Sequence, residues 1–129
     1  MEHAARDAEL HELVSRYCAA WNERDATRRH VLLREVLSSD SVYVDPSAHV
    51  VGLMPLVVHI GMVAARNPGS RVVMTSAVDA HHDEMRFGWA RVREDGSVIA
   101  SGIDFARRSD AGVLVRVGGF LGDLPALSI

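Results

Sequence analysis

The sequence predicts an α+β domain in which three amphipathic helices in the first half cover one face of a curved, mostly antiparallel sheet. Two observations predict it. Up to about Arg66 the apolar residues recur mainly at spacings of three and four, the helical period, and from Arg71 onward they fall in short runs cut by polar turn residues. Helices and strands segregated in this way mark the α+β class. A chain of 129 residues is the size of one hydrophobic core, so a single domain over residues 1–129 is expected.

The first helix is expected from Ala4 to Glu23, with Leu10, Leu13, Val14, Tyr17 and Trp21 on one stripe and Glu9, Glu12, Arg16 and Glu23 opposite. Asn22 to Asp25 reads as a break. A second helix is expected from Ala26 to Leu37, ended by Ser38-Ser39-Asp40. Ser41 to Asp45 reads as a short strand stopped by Pro46, which has no N–H for a ladder. The third helix is expected from Leu53 to Arg66, with Pro55 in its first turn and Asn67-Pro68-Gly69 as its stop. Gly61 inside it marks a weak point or a close approach of another backbone. Four strands follow: Arg71 to Ala80, Glu84 to Glu94, Ile99 to Arg108 and Val113 to Leu121. Their separators, His81-His82-Asp83, Asp95-Gly96-Ser97 and Ser109 to Gly112, are short turn sequences that join antiparallel hairpins. Leu124 to Ile129 is a tail. A curved sheet covered by helices leaves a concave space.

Composition narrows the function. Formal net charge is −3 and the basic residues, all Arg, are scattered, so no polyanion-attracting field arises and nucleic-acid binding is not expected. No apolar stretch approaches the roughly 20 residues of a membrane span. Met1 to Asp7 is charged, unlike a signal core. The single cysteine, Cys18, excludes an internal disulfide and favours a reducing, cytoplasmic setting. No phosphate loop, dinucleotide fingerprint or nucleophile elbow is present, so no cofactor is expected.

Three segments carry a resemblance: Arg16 to Asp25 at the end of the first helix, Asp40-Ser41-Val42-Tyr43-Val44-Asp45-Pro46, and Gly102-Ile103-Asp104-Phe105 with Asp110-Ala111-Gly112 and Val117 to Gly122. With this element order and length, the chain resembles the nuclear transport factor 2-like superfamily, in its SnoaL-like and ketosteroid isomerase-like branch. The resemblance implies a cone-shaped fold with a blind pocket for a small apolar molecule, often in a homodimer. It also implies roles by position. Tyr17 matches the oxyanion-binding tyrosine of the isomerases, Asp45 their general base and Asp104 their protonated second oxyanion donor. The chain departs from that pattern in the longer segment between Tyr17 and Asp45 and in Ile60, near where the isomerases carry a supporting tyrosine.

The residues themselves give each role a physical basis and an ordinary alternative. Tyr17 on the apolar stripe holds a buried hydroxyl that needs an acceptor, either a substrate oxyanion or a backbone carbonyl. Asp45 shares strand parity with Tyr43; half-burial would raise its basicity, while an Asp before Pro also serves as a turn residue bonding nearby amides. Asp104 lies mid-strand among Ile103, Phe105 and Ala106, where an acid requires a use or a buried partner, with Arg86, Arg91 and Arg116 as candidate counter-ions. Trp21, Tyr43, His59, Phe87, Trp89 and Phe120 are the expected substrate-binding residues, and apolar lining with few polar groups suits a small-molecule pocket. Trp21, Phe87, Trp89, Phe105 and Phe120 read equally as core. His81 and His82 sit at a turn and read as solvated, so no metal site is expected. Cys18 reads as an inert packed thiol.

The expected function is a cofactor-independent isomerase or cyclase acting on an apolar carbonyl compound. The alternatives are a binding module for a hydrophobic metabolite, an epoxide hydrolase-like enzyme, or an interaction protein. Val72, Val92 and Val115 are the candidate dimer faces.

Overall fold

A computed structural model describes the backbone of residues 2–128 and the side chains of residues 4–128; Ile129, the end of the predicted tail, lies outside the described residues. The elements in chain order are α1 (Glu2–Asn22), α2 (Ala26–Val36), β1 (Leu37–Asp45), β2 (Ala48–Val51), α3 (Leu53–Arg66), β3 (Arg71–Met74), β4 (Asp79–His81), β5 (Glu84–Val92), β6 (Val98–Arg108) and β7 (Leu114–Leu121). The strands form one mixed sheet in the order β2-β1-β7-β6-β5-β3, with β4 also paired to β5. All neighbours are antiparallel except β1 and β7. The fold is the cone-shaped α+β arrangement expected, and α3 has the predicted bounds.

The differences have local causes. Ser38-Ser39-Asp40 does not end α2 in a loop. It continues β1, which starts at Leu37 opposite Leu114 and passes an irregularity before pairing regularly from Val42. The strand β2 was not predicted; a tight turn at Pro46 and Ser47 folds it back on β1, pairing Asp45 with Ala48. The single strand expected over 71–80 is two. Between them Ser76 Oγ accepts from Gly88 N at 2.8 Å, so a side chain takes over a ladder bond.

The helices cover one face of the sheet. Leu10, Val14 and Tyr17 of α1, Leu33 and Val36 of α2, and Leu56, Val57 and Ile60 of α3 are buried against Met85, Phe87, Ala106, Leu114 and Val117. Asp25 caps α2 by accepting from Arg28 N at 2.9 Å. One charge enters this layer. Buried Arg29 donates to the carbonyls of Glu23, Arg24 and Val57, which tie α2 to the end of α1 and to α3. A Cβ at Gly61 would lie 3.0 Å from Arg29 Nη1, so the close approach at Gly61 is by a side chain rather than by backbone.

Side chains alternate across the sheet. Tyr43, Trp89, Arg91 and Asp104 point inward, and Ile103, Phe105 and Phe120 outward. Phe105 and Phe120, read as core, are therefore 45% and 66% exposed and stack edge to face on the outer surface. The three valines named as candidate dimer faces differ in exposure. Val72 turns toward the interior, Val92 is buried and Val115 is half-buried.

Candidate active site

Helices α1 and α3 and the inner face of the sheet enclose a cavity of about 200 Å³. Tyr17, Asp45 and Asp104 all line it, as do Trp21, Tyr43 and Trp89. The other expected binding residues do not. Phe87 is core, packed edge-on against the Tyr17 ring at 6.4 Å. His59 stands behind the wall against Trp21 and Tyr43, at ring distances of 6.1 and 5.7 Å. Phe120 faces out, because its register partner Ile103 lies on the opposite face from Asp104.

Asp104 occupies the middle of β6, between Phe87 on β5 and Gly119 on β7. It is 7% exposed. A Cβ at position 119 would fall 2.8 Å from Asp104 Oδ1, so the carboxyl occupies the space that any larger residue there would need. Among the described residues no arginine pairs with Asp104; Trp89 Nε1 donates to Oδ1 at 2.9 Å. Burial disfavours the carboxylate, and against the opposing Trp89 hydrogen bond it raises the pKa to about 7, with the nearby charge of Asp45 adding to the rise.

Tyr17 is 1% exposed, and its hydroxyl has no hydrogen-bond partner among the described residues. Burial, reinforced by Asp104 and only partly opposed by the Trp21 indole, holds its pKa well above that of a free phenol, so the group stays a donor. A buried donor without an acceptor, in the wall of a cavity, is an exception that calls for an explanation.

Asp45 is different. Its carboxylate accepts from Tyr43 Oη at 2.5 Å and from both Ser47 N and Ser47 Oγ at 2.7 Å. Burial alone would raise its pKa, but these bonds and nearby His59, whose Nε2 lies 3.9 Å from Oδ2, outweigh it and leave the pKa below the usual value. The expected gain in basicity is reversed, and the turn role is present as well. Tyr43 spends its proton on Asp45, and burial then that bond raise its own pKa.

Sequence reasoning undervalued several lining residues. Arg91 enters the wall as a lone guanidinium, not as a counter-ion of Asp104, and its parity with Trp89 was the available signal. Asn67 was read only as a helix stop, and Val63, Val72, Ile99 and Ala100 close the cavity around it. Cys18 lines the cavity too, but burial, with Asp104 adding, pushes its thiol up to about 12, so it stays protonated. His81 and His82 lie exposed at the β4–β5 turn.

A solved structure from Agrobacterium tumefaciens str. C58, described as a candidate isomerase of the SnoaL-like family, is 31% identical to this chain, with a TM-score of 0.81 over 87% of this chain and 96% of that one. The chain belongs to the SnoaL-like family. Two more distant structures show the same fold for this SnoaL-like chain. A nuclear transport factor 2-like protein of unknown function from Exiguobacterium sp. 255-15 has 21% identity and a TM-score of 0.68, over 87% and 99% of the two chains. A candidate polyketide cyclase from Sinorhizobium meliloti has 17% identity and a TM-score of 0.64, over 88% and 97%. No family model and no curated protein matches the sequence. No helix among the described residues is long and apolar enough to cross a membrane.

Proposed function

We propose that this SnoaL-like protein is a cofactor-independent isomerase or cyclase that moves a proton on a small carbonyl compound, with Asp104 as the base. The observation that carries the reading is the pairing, in one cavity, of a carboxyl poised near neutrality with a buried phenol that has no acceptor among the described residues. A base is most effective when its pKa lies near the working pH. Ionised Asp104 takes a proton from the carbon beside the carbonyl and becomes the neutral acid. The electron pair moves onto the carbonyl oxygen, where Tyr17 donates a hydrogen bond to the developing negative charge. Return of the proton to another carbon completes an isomerisation; attack of the carbanion on a second carbonyl of the same molecule, with the Asp104 proton passing to the alkoxide so formed, completes a cyclisation. Asp45 is too weakly basic for the first step. It remains a fixed charge that keeps Asp104 proton-hungry. The resemblance implied Asp45 as the base and Asp104 as an oxyanion donor; in this proposal Asp104 is the base and Asp45 takes neither role.

The agreement with the Agrobacterium structure, which is described as a candidate isomerase, supports the reaction class. A cavity of about 200 Å³ has room for the equivalent of about seven waters and lies below the range typical of drug-sized ligands, so it suits one ring or a short chain. The test is exchange of α-hydrogens for deuterium in a panel of small ketones and oxo acids, followed by NMR. Exchange should depend on Asp104 and level off above about pH 7. Exchange that survives Asp104→Asn unchanged would remove Asp104 from the mechanism, and no exchange with any member of a broad panel would favour a binding module.

Assembly as a homodimer through the outer sheet face is part of the same proposal. Ile103, Phe105 and Phe120 form an exposed apolar patch there, bordered by Glu84, Arg107 and Arg116. A two-fold related copy could pair such opposite charges across the apolar centre. Phe120→Glu should convert a dimer to a monomer in light scattering; an unchanged mass would exclude this face.

A further inference from the structure

Arg91 is a buried cation that the proposed proton transfer does not use. It is 5% exposed, and it lines the cavity from β5. Buried charges are ordinarily paired or fully hydrogen-bonded, because removing an ion from water is costly. The other buried arginine obeys this rule, since Arg29 donates to three backbone carbonyls. Arg91 does not. Among the described residues it forms no ion pair, and its one side-chain hydrogen bond runs from Nη1 to Ser70 Oγ at 2.9 Å. The planar guanidinium therefore keeps donors unspent beside an empty space, and an arginine fork matches a carboxylate in geometry as well as charge.

The location adds a second constraint. Arg91 pairs with Ala100 on β6, whereas Asp104 pairs with Phe87. Four residues of strand separate the two levels, about 13 Å between backbones, with Trp89 between them on the same face. The long side chain of Arg91 shortens the gap toward the length of a small molecule. An anionic group at Arg91 would stand well apart from Asp45 and Asp104, which would otherwise repel it.

We infer that Arg91 forms a carboxylate subsite and that the substrate class is a small oxo acid, with its carboxylate on the Arg91 guanidinium and its reacting carbonyl between Asp104 and Tyr17. The inference rests on the proposed proton transfer only for the placement of the carbonyl; recognition of the carboxylate stands on Arg91 alone. The competing explanation is structural. Ser70 Oγ donates to Asn67 O at the end of α3, so Arg91 would merely brace that helix end through Ser70.

Calorimetric titration of the intact protein with matched pairs separates the two. Benzoate is compared with benzamide, and levulinate with its amide. The wild type should bind each acid about tenfold to a hundredfold more tightly than its amide, the range of a hydrogen-bonded charge. Arg91→Met should abolish that preference. Arg91→Lys, which keeps the charge and loses the fork, should retain a reduced preference and serves if the Met variant fails to fold. Asp104→Asn should keep the preference in full while losing proton exchange, so failure of the mechanism and failure of the subsite give different results. Equal binding of acid and amide by the wild type, or an undiminished preference in Arg91→Met or Arg91→Lys, overturns the inference.

Discussion

Asp45 and Asp104 look into the same cavity from two regions of the sheet, and their surroundings push them in opposite directions. Asp45 ends β1, where the chain turns, and the turn supplies a backbone amide and a hydroxyl from Ser47, while Tyr43 adds a phenol. Asp104 lies in mid-strand, where the backbone amides are committed to β5 and β7, and it receives one indole N–H. The first region solvates an anion with protein groups; the second withholds solvation. Two residues of the same chemistry thus become a fixed charge and a titrating group, because a strand end has donors to spare and a strand centre has none.

The largest effect that could break this comparison is on turnover. Asp104→Asn should lower it by two or more powers of ten, on the order of a lost catalytic group, with the fold intact. The same variant should alter the pH dependence of stability. A raised carboxyl pKa makes the native state bind more protons than the unfolded chain between about pH 4 and 7, so wild-type stability should fall over that window and level off above it. The total is at most about 4 kcal/mol, from a shift of about three units. Asp104→Asn should flatten that slope and be the more stable protein at pH 8 in urea unfolding. Asp45 acts with the opposite sign: its lowered pKa contributes stability above the ordinary carboxylate value, lost as pH falls below it.

Tyr17→Phe sharpens the account further. Its hydroxyl has no acceptor among the described residues, so its removal should leave stability equal or higher by about 1 kcal/mol, while turnover drops about a hundredfold or more. A hydroxyl with a hidden structural partner would instead show a clear loss of stability. A smaller effect is expected of Asp45→Asn, which removes the negative charge facing Asp104. The midpoint of the pH–rate profile should move down, and a midpoint that stays in place would show that the two acids do not sense one another.

The helical stripe of Leu10, Val14 and Tyr17 and the turn residues of the hairpins made the fold legible, because period and turn chemistry are local. The inward placement of Asp104 was legible because an acid in mid-strand among Ile103, Phe105 and Ala106 requires a use or a buried partner. What remained hidden was set by pairing between distant segments. The parallel contact of β1 with β7 extends β1 through Ser38-Ser39-Asp40. The register of β7 against β6 sends Phe120 outward. The basicity of Asp45 was misread because its donors come from a turn hydroxyl and a neighbouring phenol, whose geometry the linear pattern does not contain. Arg91 as a lone inward cation was within reach of the parity argument, but the absence of its counter-ion shows only in three dimensions.

The most direct measurement is a carbon-13 NMR titration of the aspartate carboxyls, assigned through Asp45→Asn and Asp104→Asn. Asp104 should titrate with a midpoint at about 7 and Asp45 below the ordinary aspartate value. A midpoint for Asp104 at the ordinary value near 3.8, or two aspartates that titrate together, would contradict the division of roles described above.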